Sequence, residues 1–92
     1  MINIIADKDI PNLDNHLNEL LDSNFFRINY HHYLDININT IKDYEVLLVR
    51  STINVNESLL KETNIKFVGS ATAGINHLDI NYLNKNNIQW DY

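Results

Sequence analysis

The chain contains no cysteine, a single proline and only two glycines, Gly69 and Gly74. The lack of cysteine excludes a disulfide framework, a thiolate metal site and a cysteine nucleophile. With two glycines, the sequence cannot hold the G-x-G-x-x-G turn on which Rossmann domains bind the pyrophosphate of a dinucleotide. Stability must therefore come from a hydrophobic core, and 45% of the 92 residues are hydrophobic, which suffices for one small domain.

Basic residues are also scarce in this chain. The two Arg and five Lys are scattered, and the net charge at pH 7 is −5. Because nucleic-acid binding requires a basic surface that neutralises phosphates, this composition argues against a nucleic-acid partner. No apolar run approaches the roughly 18 residues that span a bilayer, and the N-terminus lacks the basic region of a signal peptide. We expect a cytoplasmic protein without a membrane partner.

Short apolar runs are what the sequence does contain, and they alternate with helical patterns. The predicted strands are Ile2–Ala6, Phe25–Tyr30, Val46–Val49, Ile65–Val68 and the start of a fifth at Ile88–Trp90. A first helix is predicted from about Pro11 to Asp22, because leucines recur there at helical spacing. Alternating strands and helices predict an α/β fold, namely a flavodoxin-like open, mostly parallel sheet with helices on both faces.

A second helix is predicted from its capping residues. Asn54 and Glu57 form a pair that resembles a capping box, which predicts a helix over Val55–Glu62. Asn64 is the predicted C-terminal stop of this helix.

Two segments are expected to be loops. Residues 35–39 alternate in polarity like a strand, but we interpret the whole of residues 31–43 as a loop. Residues 69–74 are predicted to be a second loop, after which Asn76 or Asp79 caps a short helix.

Hydroxyl side chains follow two of the predicted strands. Ser51 comes after Val46–Val49, and Thr72 lies four residues past Ile65–Val68. Because the carboxyl ends of parallel strands meet at one edge of a sheet, we expect both residues to line one crevice there. Small residues such as these and Gly74 let backbone N–H groups approach an anion closely. The alternative is that the two hydroxyls only cap helices.

Arg50 is the last residue of a predicted buried strand. An arginine held in this position usually has a carboxylate or an anionic ligand as its partner, and a surface salt bridge is the alternative.

The histidines His16, His31, His32 and His77 show no spacing typical of a metal site. His31 and His32 are adjacent, so on a strand they would face opposite sides and could not bind one ion together. We expect solvated histidines and no metal. For His77 a helix-capping or surface role is favoured, and contact with a ligand is the alternative, because it lies close to the Ala73-Gly74 turn.

The part of the chain from Leu47 onward resembles a known family. The segments Val-Arg-Ser, Val-Asn-Glu-Ser-Leu-Leu, Ile-Lys-Phe-Val-Gly and Ala-Thr-Ala-Gly, with the following His and Asp, are together similar to the amino-terminal part of the erythronate-4-phosphate dehydrogenases. These are NAD-dependent enzymes of the D-isomer-specific 2-hydroxyacid dehydrogenase family. The resemblance is also visible at Asp7–Pro11 and fades between Leu20 and Asn39.

The resemblance implies an oxidoreductase that converts 4-phospho-D-erythronate to 2-oxo-3-hydroxy-4-phosphobutanoate in pyridoxine 5'-phosphate biosynthesis, with NAD as its cofactor. In the family, the residues that match Ser51 and Thr72 bind this substrate, so these two are carried over as substrate-binding residues. No catalytic, cofactor-binding or metal-binding residue is carried over. The family enzymes are longer homodimers, and their NAD-binding domain, catalytic residues and dimerisation domain follow the matched part.

We therefore expect residues 1–92 to be a portion of the substrate-binding (catalytic) domain without the Rossmann NAD-binding domain, and inactive alone. Three interpretations are open: a piece of the dehydrogenase, from an incomplete record or a frameshifted gene; a stand-alone module that binds a phosphorylated hydroxyacid without catalysis; or a decayed domain. Because the chain stops at Tyr92, within the last predicted strand, the first and third are favoured.

Overall fold

The computed structural model describes residues 2–11, 26–71 and 76–92. Its strands are β1 (Ile2–Asp7), β2 (Phe26–His31), β3 (Val46–Val49), β4 (Phe67–Ser70) and β5 (Gln89–Asp91). Its α-helices are α1 (Ile38–Ile41), α2 (Glu57–Leu60) and α3 (Ile80–Lys85), and a 3-10 turn covers Tyr33–Asp35. Of the helix predicted from Pro11 to Asp22, only Pro11 lies within the described residues. In the part of the chain that the structure describes, no helix has the length and apolar character needed to cross a membrane.

The described strands form one sheet in the order β2-β1-β3-β4-β5, and every neighbouring pair is parallel. This is the flavodoxin-like order of doubly wound sheets. The predicted fold class is therefore confirmed. The parallel arrangement also brings the carboxyl ends of these strands to one edge, which we call the carboxyl edge.

The main hydrophobic cluster lies on one face of this sheet, while Ile4 and Ala6 of β1 are buried on the other face. Leu47 and Val49 are fully buried and alternate with half-buried residues along β3, so their side chains share a face. Each of the three described α-helices adds at least one buried residue to the same cluster. The cluster consists of Ile5, Ile36, Ile41, Leu47, Val49, Val55, Leu60, Ile65, Val68, Leu78, Leu83 and Ile88. Packing against the sheet therefore holds the short helices in place.

The β4 strand begins two residues later than the predicted Ile65–Val68 and includes Gly69 and Ser70, which we expected in a loop. The backbone N–H groups of Lys66 and Phe67 donate to the carbonyl of Glu45, just before β3, at 2.7 and 3.2 Å, and the β3–β4 register starts at Phe67. The start of the strand is thus set by pairing with β3 and not by the start of the apolar run.

Helix α2 is capped by Asn56 and not by Asn54, so that prediction was wrong. The Asn56 side-chain oxygen accepts a hydrogen bond from the backbone N–H of Leu59 at 3.2 Å. Val55 cannot start the helix because it forms an isolated parallel bridge with Leu78. A tertiary contact therefore delays the helix by two residues.

Helix α2 also ends earlier than predicted. The N–H of Lys61 closes the last turn on the carbonyl of Glu57, and Glu62 has a left-handed backbone with φ of 61°. Because a helix cannot pass through this conformation, α2 ends at Leu60 and Asn64 is not its stop.

The segment 31–43, predicted to be a loop, contains the 3-10 turn Tyr33–Asp35 and helix α1. Asn37 caps α1 in a capping box in which Thr40 takes the place usually held by Glu or Gln. Although polar and apolar residues alternate here as in a strand, the segment therefore contains a single, well-capped turn of α-helix.

Helix α3 is capped by Asp79, the second of the two residues predicted for this role. Its side chain accepts a hydrogen bond from the N–H of Tyr82 at 3.1 Å. Strand β5 follows at Gln89–Asp91, one residue later than predicted.

The two asparagines before α2 offer a matched test of this fold. We expect Asn56→Ala to lower the free energy of unfolding by about 1 kcal/mol, because it removes the N-cap hydrogen bond. Asn54→Ala should change it by less than about 0.5 kcal/mol, since Asn54 is exposed and does not cap the helix. Urea unfolding followed by circular dichroism measures both. An equal loss in the two variants would contradict the assignment of the cap.

Candidate functional site

The candidate site lies at the carboxyl edge, where Arg50, Ser51 and Thr52 follow β3. Arg50 is half-buried, whereas Ser51 and Thr52 are exposed. Ligands of open parallel sheets bind beyond the carboxyl ends of the strands, so this turn occupies the expected place.

A buried carboxylate anchors this turn. Asp7, at the end of β1, is completely buried, and its Oδ2 accepts a hydrogen bond from Arg50 Nε at 3.0 Å. The Thr52 hydroxyl donates to the same oxygen at 3.5 Å, and the N–H of Asp9 donates to Oδ1 at 2.9 Å. A second carboxylate oxygen, Asp9 Oδ2, lies 3.7 Å from Arg50 Nη2. The residues on both sides of Ser51 are therefore tied to β1.

Among the partners that the sequence left open for Arg50, the structure shows a buried carboxylate, that of Asp7. Its identity was missed, because we interpreted Asp7 as an acidic residue ahead of a helix. The signal was present in the sequence, since Asp7 directly follows the apolar run Ile2–Ala6 and Arg50 directly follows the apolar run Val46–Val49. A buried charge requires a partner of opposite charge, and Asp7 and Arg50 were available to form such a pair.

The structure describes only one of the two predicted substrate-binding residues. Ser51 is exposed at the carboxyl edge, and Thr72 lies outside the described residues. The register nevertheless pairs Val49 with Ser70, which precede Ser51 and Thr72 by two positions each. The N–H of Ala71 extends this pairing by donating to the carbonyl of Val49 at 2.9 Å. Both chain segments thus leave the sheet side by side.

A second polar contact lies between β4 and the start of the following segment. Ser70 Oγ and His77 Nε2 are 2.7 Å apart, and both residues are buried. Burial lowers the pKa of the His77 imidazole below its ordinary value of 6.5. The surface role expected for His77 was therefore wrong. No spacing rule marks this contact, since it depends on the path of the residues between the two partners.

His77 also links the two segments that leave the sheet. Its carbonyl accepts a hydrogen bond from the N–H of Val55 at 2.7 Å, and the carbonyl of Val55 accepts one from the N–H of Asp79 at 2.8 Å. These two bonds form the Val55–Leu78 bridge. The segment after Ser51 is thereby joined to the segment after Thr72.

The remaining histidines take other positions. His32 caps the 3-10 turn, where its Nδ1 accepts a hydrogen bond from the N–H of Leu34 at 3.2 Å. His31 is half-buried at the end of β2, and His16 lies outside the described residues. Within residues 2–11, 26–71 and 76–92, no group of three His, Cys, Asp or Glu side chains could hold a metal ion.

Of the two glycines, the structure describes Gly69. Gly69 lies inside β4, where an added Cβ would come within 2.8 Å of Leu48 Cδ2, so its missing side chain makes room for a neighbouring strand. Gly74 is outside the described residues. A pyrophosphate-binding turn needs glycines directly after a strand at the start of a helix, and Gly69, inside β4, does not fit that pattern.

Comparison with known proteins finds a family model that matches residues 3–90, described as the D-isomer specific 2-hydroxyacid dehydrogenase, catalytic domain. Among curated proteins, the chain is 46% identical over 66 residues to the erythronate-4-phosphate dehydrogenase of Wigglesworthia glossinidia brevipalpis, covering 72% of this chain and 18% of that protein. It is 41% identical over 87 residues to the enzyme of that name from Acinetobacter baumannii strain ACICU, covering 95% of this chain and 23% of the relative. The chain thus spans about a fifth of the length of these relatives.

Solved structures agree with the fold. The 3-phosphoglycerate dehydrogenase of Entamoeba histolytica, solved with NAD+ bound, superposes with a TM-score of 0.74 at 25% identity, over 97% of this chain and 32% of that one. The TT0316 protein of Thermus thermophilus gives a TM-score of 0.83 at 11% identity, over 99% of this chain and 30% of that one. The second likeness concerns the fold alone.

The ion pair at the site can be tested with two aspartates. We expect Asp7→Asn to lower the free energy of unfolding by about 1.5–3 kcal/mol, because it removes a buried charge from its guanidinium partner. Asp9→Asn should cost less than about 1 kcal/mol, since the Asp9 side chain is half exposed and its contact is long. Urea unfolding near pH 7 compares them. Equal losses would show that the buried pair does not stabilise the site.

The burial of His77 predicts a pH dependence of stability. Because the folded pKa is lowered, the unfolded chain takes up a proton first as the pH falls below 6.5. The stabilisation is therefore complete above pH 6.5 and is lost toward lower pH, by at most about 1.4 kcal/mol per pH unit for one group. Unfolding measured at about pH 7 and about pH 5.5 should show a smaller loss in His77→Gln than in the unaltered chain. An identical loss would remove His77 as its source.

Proposed function

The chain belongs to the D-isomer specific 2-hydroxyacid dehydrogenase family, and we propose from this that it forms part of the substrate-binding domain of an NAD-dependent oxidoreductase acting on 4-phospho-D-erythronate. The substrate is suggested by the curated relatives, which carry the name erythronate-4-phosphate dehydrogenase at 46% and 41% identity. In this proposal, Ser51 and Thr72 bind the substrate and the enzyme serves pyridoxine 5'-phosphate biosynthesis.

The observation that carries this proposal is the register between β3 and β4. Val49 and Ser70 are paired, and Ser51 and Thr72 each follow two residues later. β4 extends further than predicted, so the distance along the chain from the last paired residue is the same on both strands. This supports a shared crevice for the two hydroxyls at the carboxyl edge.

The chemistry of the turn after β3 suits an oxyanion ligand. The Ser51 hydroxyl is exposed and can donate a hydrogen bond to a carboxylate or phosphate oxygen, while Arg50 and Thr52 on either side are held by Asp7. Because Arg50 is shared between Asp7 and Asp9, its charge is largely compensated. We therefore assign the recognition of the ligand at this turn to hydroxyl and N–H donors, with Arg50 as their support.

In this proposal NAD is the cofactor of the whole enzyme, and the residues of this chain do not bind it. The family resemblance implies NAD as the cofactor of the enzyme, and the two glycines of this chain cannot form the G-x-G-x-x-G turn that binds a dinucleotide. We place its binding outside this chain, in keeping with the 18% and 23% of the relatives' lengths that the chain covers. The chain alone is then a ligand-binding unit without turnover. The cytoplasmic location and homodimeric assembly expected from the resemblance remain parts of the proposal.

Titration of 4-phosphoerythronate, followed by amide NMR shifts, tests the proposed site. We expect saturable shifts at residues 50–52 and 70–74, and a loss of affinity of about tenfold or more in Ser51→Ala, because a hydrogen bond to a charged ligand is removed. Ser58→Ala is the matched control, since Ser58 is an exposed hydroxyl on α2 outside residues 50–52 and 70–74, and this variant should bind like the unaltered chain.

The same samples distinguish the interpretations of the chain. NAD should produce no saturable shifts and no NADH should form with the substrate. Absence of 4-phosphoerythronate binding, or binding that Ser51→Ala and Thr72→Val leave unchanged, would contradict the proposed site. Binding without reaction in a gene that continues no further would favour the stand-alone module.

A further inference from the structure

We infer that the buried carboxylate of Asp7 is a positioning residue for the Ser51 hydroxyl. The inference deepens the proposed function and rests on it, because Ser51 is a substrate-binding residue in that proposal. Asp7 is completely buried and is assigned no contact with the substrate itself. It acts through Arg50 and Thr52, the residues on either side of Ser51.

The first observation is that one carboxylate oxygen binds both neighbours of Ser51. Asp7 Oδ2 accepts a hydrogen bond from Arg50 Nε at 3.0 Å and another from the Thr52 hydroxyl at 3.5 Å. Ser51 lies between these two attachments and is exposed. A single point on β1 therefore restrains the chain on both sides of the residue that is proposed to bind the substrate.

The second observation is that Asp7 is itself firmly held. It is the last residue of β1 and pairs with His31 of β2. Its other carboxylate oxygen, Oδ1, accepts a hydrogen bond from the backbone N–H of Asp9 at 2.9 Å. The Asp7 side chain has no exposed surface, so water does not compete for these hydrogen bonds. Hydrogen bonds to an ionised acceptor are also stronger than neutral ones. The carboxylate is therefore a fixed anchor for the turn after β3.

The third observation is that the backbone of this turn lacks an anchor of its own in the part of the chain that the structure describes. Backbone hydrogen bonds hold Val49 and Val55, which flank the turn. Among the described residues, no backbone–backbone hydrogen bond joins residues 50–54 to another strand. The side-chain contacts of Arg50 and Thr52 with the buried carboxylate are thus what ties the middle of the turn to the sheet.

An anchored turn matters for binding because a ligand must otherwise supply the free energy that orders the residues around it. Removal of the anchor should therefore weaken binding through Ser51. Charge alone predicts the opposite result. The substrate carries a carboxylate and a phosphate, so removal of the negative charge of Asp7 would favour its binding by Coulomb's law. The two effects differ in sign, and an affinity measurement can separate them.

The test measures the affinity of the full chain for 4-phosphoerythronate by amide NMR shifts. Asp7→Ala removes the acceptor of both flanking side chains, and we expect affinity to fall by about three- to tenfold, on the order of one net hydrogen bond. In the Ser51→Ala background, the same substitution should change affinity by less than about twofold, since the hydroxyl that it positions is absent. The NMR order parameter of the Ser51 N–H should also fall in ligand-free Asp7→Ala.

Glu45→Gln supplies the matched control for charge and stability. Glu45 directly precedes β3, at the opposite edge of the sheet, and its Oε2 accepts a hydrogen bond from the N–H of Asn3 at 2.6 Å. This substitution removes one negative charge, as Asp7→Ala does, and weakens another carboxylate contact between β1 and the β3 segment. It should leave affinity unaltered or raise it by less than about twofold.

Thr52→Val tests the same role at an exposed position, where the substitution does not endanger folding. It removes one of the two donors to Asp7, and we expect a loss of affinity of about twofold or more. Thr52→Ser keeps the hydroxyl and should bind like the unaltered chain. These two variants decide the question if Asp7→Ala does not fold.

The outcomes separate this inference from the proposed function. If the unaltered chain binds and Ser51→Ala weakens binding, but Asp7→Ala and Thr52→Val bind equally well or more tightly, the positioning role is overturned and the proposed function stands. An equal loss in Glu45→Gln, or an undiminished effect of Asp7→Ala in the Ser51→Ala background, would also overturn it. If the unaltered chain does not bind, or Ser51→Ala binds equally well, the proposed site fails and the inference with it. Losses in Asp7→Ala and Thr52→Val, with full binding in Thr52→Ser and Glu45→Gln, support the inference.

Discussion

The parallel pairing of β3 with β4 is the constraint on which the rest of this structure depends. It sets the start of β4 at Phe67, includes Gly69 and Ser70 in the strand, and brings both chain segments to the carboxyl edge at the same level. A shift of this register by one residue would turn Val68 and Ser70 to the opposite face. Val68 would then leave the core and Ser70 would lose His77. Core and site are therefore specified by the same set of backbone hydrogen bonds.

The buried carboxylate of Asp7 shows how charge is accommodated at this edge. Its desolvation is offset by three donors, which are Arg50 Nε, the Thr52 hydroxyl and the N–H of Asp9. Because these donors come from the turn after β3 and from the residues after β1, the ion pair connects two strand ends. Ser51 is held between two anchored neighbours while its own side chain remains exposed. Rigidity and accessibility are thus combined at adjacent positions.

Sequence reasoning succeeded where an element is determined by residues close together in the chain. The apolar run Val46–Val49 identified a covered parallel strand, and Asp79 was one of two residues predicted to cap α3. It failed where a distant contact decides the outcome. Asn54 has the same chemistry as Asn56, and only the bridge between Val55 and Leu78 selects the second one. The burial of His77 likewise depends on a contact with Ser70 that no sequence pattern marks. The expectation that Ser51 and Thr72 share a crevice came from topology and stays a prediction, since Thr72 lies outside the described residues.

The short helices have a consequence for how this fold forms. Helices α1 and α2 contain four residues each and α3 contains six, whereas isolated helices shorter than about 12 residues are marginal in water. None of them can form early and guide the sheet. Strand pairs in turn are parallel, so every pair needs a long crossover before its first hydrogen bond forms. The slow step in folding is therefore the closure of non-local contacts, as expected for chains of high contact order. During biosynthesis, β1 cannot pair with β3 until Val46–Val49 has left the ribosome.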